Sequence, residues 1–236
     1  MPLPVVTYTI ILLNIIVFII IYIIMPVNGL SPDWAIYNYG LIPADVLSGQ
    51  RLYTLLTSMF LHAGLSHILG NMLYLYVFGD NVEAALGRRN YTVLYFASGL
   101  GASLFHLMSN VLITPDKAAT IFMTTGITPW EIPAVGASGA ISGVLGAYLL
   151  LFPRAEIKSI ALIGVVPVLL RFPASFYILI WFAFQLLYAI ASLGAGLSAG
   201  IAFWAHVGGF ITGLALTPLL VDKRRLRKLY LGYMTI

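Results

Sequence analysis

The chain has 236 residues, 61% of them hydrophobic and 8% charged, with four histidines and no cysteine, and its mean hydropathy is +0.98. That composition excludes a water-soluble globular domain and places the chain in a lipid bilayer. It also excludes nucleic-acid binding, because the basic residues behind the net charge of +4 mark topology rather than a polyanion site. Without cysteine there is no disulfide, thiolate metal site or cysteine nucleophile.

A spanning helix takes about 20 mostly apolar residues. Long apolar runs bounded by charge, proline or glycine predict six spans, near Val5 to Met25, Leu55 to Phe78, Tyr91 to Val111, Gly136 to Phe152, Ala174 to Leu193 and Gly200 to Leu220. The expected fold is an all-α membrane protein, a bundle of six transmembrane helices in a single domain over residues 1–236. The first run lacks a basic flank and a small-residue cleavage site, so it reads as a permanent span. In the connection from Pro26 to Thr54, Trp34, Tyr37, Tyr39 and Tyr53 suit a segment resting on the membrane interface. The stretch Ile157 to Leu170 is apolar but short, flanked by Lys158 and Arg171 and interrupted by Gly164 and Pro167. It reads as an interfacial segment rather than a seventh span.

With six spans, Arg88, Arg89, Arg154, Lys158, Arg171, Lys223, Arg224, Arg225, Arg227 and Lys228 share one side, against Arg51 and Lys117 on the other. Lys and Arg accumulate on the cytoplasmic side, so both termini are expected there. The C-terminal basic cluster is expected to set topology and touch anionic headgroups.

Polar groups inside a bilayer cost free energy, so the spans' polar residues are the informative ones. No acidic residue lies in a span interior, and so no acidic proton relay or cation path can be drawn. What remains is His62, His67, Asn71, His106, Ser138, Ser142 and His206, with Asn14 and Gln185 in otherwise apolar stretches. His67 and Asn71 are four apart, which places two hydrogen-bond donors on one helix face. Ser138 stands among glycines at the start of the fourth span, just after Pro133, where backbone N–H groups are free and an oxyanion fits. Gly139 with Gly143, and Gly209 with Gly213, are small-xxx-small pairs that let the fourth and sixth helices pack closely, bringing His206 toward Ser138. Ser142, Ser103 and Thr212 read as packing residues, His106 as a satisfied histidine outside any motif, and Asn14 and Gln185 as interhelical hydrogen bonding.

These blocks together resemble the rhomboid family of intramembrane serine proteases. The resemblance rests on H-x-x-x-x-H-x-x-x-N from His62 to Asn71, G-x-S-G from Gly136 to Gly139 and A-H-x-x-G-x-x-x-G from Ala205 to Gly213, in the family's order on the second, fourth and sixth spans. It implies a Ser-His dyad with Ser138 as nucleophile and His206 as general base, and no metal or cofactor. It implies an oxyanion held by His67, Asn71 and the Ser138 backbone N–H, with Gly136 shaping the loop before the serine. Arg51, His62, Glu83, Gly139, Gly209 and Gly213 match structural positions. The implied partners are the bilayer and transmembrane protein substrates, cut near the external face. Two positions depart from the pattern. Gln50-Arg51 replaces a Trp-Arg pair found in many members, and Ser142 replaces a tyrosine that in some bacterial members stacks on the catalytic histidine, which leaves open what orients His206.

An H-E-x-x-H zinc site and a pair of intramembrane aspartates are both absent. A proteolytically dead relative would normally have lost the serine or the histidine, and a transporter would be expected to show intramembrane charges or an internal repeat. The compact six-span form suits a prokaryotic plasma membrane, with an organelle membrane as the alternative.

Overall fold

The computed structural model describes residues 3–163, 166–195 and 202–234. Helix α1 (Val5–Ile19) continues through a π-helical turn, Ile20–Ile24, into α2 (Met25–Val27), one apolar rod. Helices α3 (Pro32–Tyr39), α4 (Pro43–Leu47) and α5 (Thr54–Thr57) fold the first connection. Then come α6 (Leu65–Leu86), α7 (Arg88–Val111), α8 (Pro115–Thr125) and α9 (Ser138–Leu151). A hairpin of β1 (Glu156–Ile163) and β2 (Val166–Pro173) leads to α10 (Ala174–Ala195), α11 (Phe203–Leu220) and α12 (Lys223–Met234).

The all-α expectation therefore needs correcting at the interfacial segment, which is an antiparallel hairpin. Its register pairs Ile157 with Phe172 and Lys158 with Arg171. Ile157 and Phe172 are half-buried while Lys158 and Arg171 are exposed, the period-two alternation of a strand pair,. Both strands are edges, where Pro167 and Pro173 are tolerated. Gly164 lies outside the described residues, as does Gly200 at the expected start of the sixth span.

Three span boundaries also shift. The second expected span is broken, because Thr54–Phe60 forms α5 and a 3-10 turn and the chain is non-helical at Leu61 and His62 before α6 begins. The fourth helix starts at Ser138 because Gly136 has φ +130°, outside the helical region,. The sixth begins at Phe203. Among the described residues four helices are long and apolar enough to cross a membrane: Val5–Val27, Arg88–Val111, Ala174–Ser192 and Phe203–Leu220. Helix α9 is shorter, and α6 carries His67, Asn71, Asp80, Asn81 and Glu83.

The core is built around α9. Every residue from Gly139 to Tyr148 is buried, as expected of a helix apolar on all sides. Its packing with α11 is backbone on backbone: a Cβ added to Gly209 would overlap the Gly139 carbonyl, and one at Gly213 would overlap the Gly143 carbonyl. Only glycine permits that approach. Helices α1 and α10, by contrast, expose most of their apolar surface.

Polar staples fix the periphery. The buried Glu83 carboxylate accepts hydrogen bonds from Val6 N (3.0 Å), Thr7 N (2.8 Å) and Thr7 Oγ1 (2.8 Å), binding α6 to the N-terminus of α1, where negative charge is favoured. Leu3, Pro4, Arg88, Arg225 and Leu229 line one cavity beside it, so the chain start, the α6–α7 turn and α12 meet at one end of the bundle. In the first connection Arg51 donates to Asp45 at 2.7 Å and to the Tyr37 carbonyl. Gln50 in place of tryptophan leaves that anchoring to the arginine.

Candidate active site

The site is assembled at the N-terminal end of α9, beside a cavity of about 670 Å³ lined by His67, His106, Ser138 and His206 among others. Ser138 is the first residue of its helix, so its N–H has no partner one turn back,. The loop before it is held in place twice. Gly136 N donates to the Ser58 carbonyl at 2.9 Å, and Ala134 pairs with Leu41 through two backbone hydrogen bonds of 2.8 and 3.0 Å. The first connection thus supports the serine loop directly.

His206 lies on α11, and its Nε2 is 2.8 Å from Ser138 Oγ. The glycine seam sets this separation, because backbones in contact bring the first turns of α9 and α11 together. On the other side of the ring, Nδ1 is 2.7 Å from Gln185 Oε1 on α10. Trp181, one turn before Gln185, lies 6.1 Å from the imidazole between centroids, and Phe203 meets it edge-on at 6.5 Å. From the sequence alone Gln185 reads as generic interhelical hydrogen bonding, and Trp181 carries no assignment. The available signal was their four-residue spacing, which stacks an indole and an amide on one face.

His67 Nδ1 accepts the Ala63 N–H at 3.3 Å. A neutral imidazole with an accepting Nδ1 carries its hydrogen on Nε2. That nitrogen faces Gly136: a Cβ there would sit 2.8 Å from His67 Nε2 and 3.6 Å from Ser138 Oγ. Glycine at position 136 therefore keeps open a small space bordered by a donor and the serine hydroxyl, and it adopts a φ that side chains disfavour.

Asn71 departs from its expected geometry. Its Nδ2 donates to the His67 carbonyl at 2.9 Å, and it is not among the residues lining the cavity. The amide binds its own helix one turn back, leaving a single hydrogen for any ligand. His62 is 1% exposed and packs edge-on against His67 with centroids 5.0 Å apart, a position that supports the neighbouring ring. Ser142, Ser103 and Thr212 donate to their own helices at the carbonyls of Ser138 (2.6 Å), Gly99 (3.1 Å) and Gly208 (2.8 Å). His106, read as outside the site, lines the same cavity.

Comparison with known proteins identifies the family. Residues 49–223 match the Rhomboid domain family. The chain is 32% identical over 196 residues to Rhomboid protein 1, mitochondrial, of Saccharomyces cerevisiae, covering 81% of this chain and 49% of that protein. It is 28% identical over 222 residues to rhomboid protease AarA of Providencia stuartii, covering 89% and 70%. It is also 32% identical over 137 residues to RHOMBOID-like protein 12, mitochondrial, of Arabidopsis thaliana, covering 55% and 40%. The chain thus spans less than half the length of the plant and yeast relatives. Because mitochondrial relatives match alongside bacterial ones, the expectation of a prokaryotic plasma membrane gains no support. The four apolar helices and the family match make this a membrane protein, and the chain belongs to the rhomboid family.

Proposed function

We propose that the protein is an intramembrane serine endopeptidase, a single domain in which α6 and α9 join the four long apolar helices to make six spans. The observation that carries this is the 2.8 Å contact of His206 Nε2 with Ser138 Oγ, beside the donor of His67 and at a free helix N-terminus. In this reading His206 takes the hydroxyl proton as Oγ attacks the scissile carbonyl carbon. The developing oxyanion is met by His67 Nε2–H and the Ser138 N–H, with Asn71 contributing its remaining amide hydrogen. His206 then gives its proton to the leaving amine, and water repeats the sequence on the acyl-enzyme.

Dimensions support a cavity sunk below the surface. Fourteen residues of helix extend about 21 Å, whereas the hydrocarbon core is about 30 Å thick. With Leu151 at one boundary, next to Arg154, Ser138 lies roughly 9 Å inside the other. The basic end, where the chain start meets α12, would face the cytoplasm, and the cavity would open to the opposite side. Hydrolysis in the bilayer needs such a wet cavity. A membrane helix shields its peptide bonds by internal hydrogen bonding, so the substrates are transmembrane segments that unwind easily, and by family resemblance have a small residue at the cleaved bond.

The test is reconstitution in lipid vesicles with a single-span reporter carrying Gly and Pro in its outer half. The wild-type protein is expected to cut it within or beside the span, and Ser138→Ala to leave it intact. Equal cleavage by Ser138→Ala would overturn the proposal.

A further inference from the structure

With Ser142 at the position where some relatives have tyrosine, His206 needs another partner, and the structure places Gln185 there. Gln185 Oε1 is 2.7 Å from Nδ1, while Ser138 Oγ is 2.8 Å from Nε2, so the ring is engaged at both nitrogens. A neutral imidazole has one N–H and one lone pair, and the hydrogen bond at one nitrogen decides the state of the other. A carbonyl oxygen only accepts. With Oε1 toward the ring, Nδ1 carries the hydrogen and the Nε2 lone pair faces the serine hydroxyl. The opposite amide orientation would donate to Nδ1, put the hydrogen on Nε2 and leave the ring unable to accept a proton from Ser138.

We propose that Gln185 is a positioning residue for the reaction proposed above, holding His206 in the tautomer that accepts the Ser138 proton; the inference rests on that reading. Gln185 is half-buried on α10; an amide at that depth in a membrane is costly unless it is partnered, and its partner is the ring. When His206 becomes an imidazolium, Nδ1–H still donates to Oε1, so proton transfer needs no rearrangement on this side. Gln185 is uncharged and so orients the ring without the attraction a carboxylate would add. The titratable groups that share the cavity are His67 on α6, His106 on α7 and Lys117 on α8, and no carboxylate lines it among the described residues.

Gln185→Leu and Gln185→Glu, purified beside the wild type, test this by kcat, KM and pH profile on a cleavable reporter, with thermal unfolding as a control. Gln185→Leu is expected to keep its unfolding temperature and KM and to lose kcat by about tenfold or more, the scale of one hydrogen bond to the ring. Gln185→Glu restores an acceptor and adds a charge, so activity is expected to return near neutral pH with the acid limb moved up by about one unit or more, since an adjacent carboxylate favours the imidazolium. An unchanged kcat in Gln185→Leu would overturn the proposal. So would equal losses in both variants with an unmoved acid limb, which would assign Gln185 to packing. A wild-type protein that neither cleaves the reporter nor reacts with a serine-directed phosphonate overturns the dyad reading itself, and this inference with it.

Discussion

The contact between α9 and α11 is made of backbone, whereas the contact between α10 and α11 is made of side chains. In the first, Gly209 and Gly213 lie directly against the carbonyls of Gly139 and Gly143. In the second, Phe182 stacks on Phe210 with centroids 4.2 Å apart, and Trp181 and Gln185 reach His206. A backbone contact has no rotamers and can relax only by moving a helix, while aromatic and amide side chains can shift by rotation. The glycine seam therefore sets how far Ser138 stands from His206, and α10 sets how the ring is turned. His206 depends on a rigid contact for distance and on an adjustable one for orientation.

Substitution at the seam is expected to do the most damage. Gly209→Val drives a side chain into the Gly139 carbonyl, and we expect a loss of about 3 kcal/mol or more of stability with activity below detection. Phe182→Leu, on the side-chain contact, is expected to cost no more than about 2 kcal/mol and to retain turnover. Thermal unfolding in detergent checks both, and equal destabilisation would remove the distinction. Gly136→Ala comes next, because its methyl group enters the space between His67 and Ser138. It is expected to lower kcat about a hundredfold to a thousandfold, the usual effect of losing an oxyanion donor, and to cost about 1 kcal/mol or more of stability, because alanine is strained at φ +130°,. Asn71→Ala should cost about tenfold, the scale of one neutral hydrogen bond, because its amide already serves the His67 carbonyl. Unchanged turnover would take Asn71 out of the oxyanion site. The smallest effect is expected for Ser142→Ala, within about 0.5 kcal/mol in stability and with turnover near wild type, since that hydroxyl only bonds back to its own helix.

What the sequence made legible follows from spacing. Gly139 with Gly143 and Gly209 with Gly213 announce close helix packing through their four-residue intervals, and the histidine and serine blocks lie on the helices so joined. Less legible were features that depend on contacts distant in the chain. The run Leu55 to Phe78 is mostly apolar, yet the helix starts only at Leu65, and Ser58 in the preceding turn accepts the hydrogen bond from Gly136. The segment Ile157 to Leu170 was apolar enough to lie on a membrane, but short apolar runs do not separate strand from helix. Gln185 was recognisable as a polar residue needing a partner. That its partner is His206, 21 positions along the chain, depends on how α10 is rotated against α11, which no periodicity in α10 encodes.

The chemistry proposed for this site depends on Ser138 being a nucleophile activated by His206. The direct measurement is labelling of the detergent-purified protein with a fluorophosphonate probe, the modified residue located by mass spectrometry, in wild type, Ser138→Ala and His206→Ala, all confirmed folded. Modification of the wild type at Ser138 and of neither variant is the expected result. Labelling that persists in folded His206→Ala, or that maps to a residue other than Ser138, would contradict it.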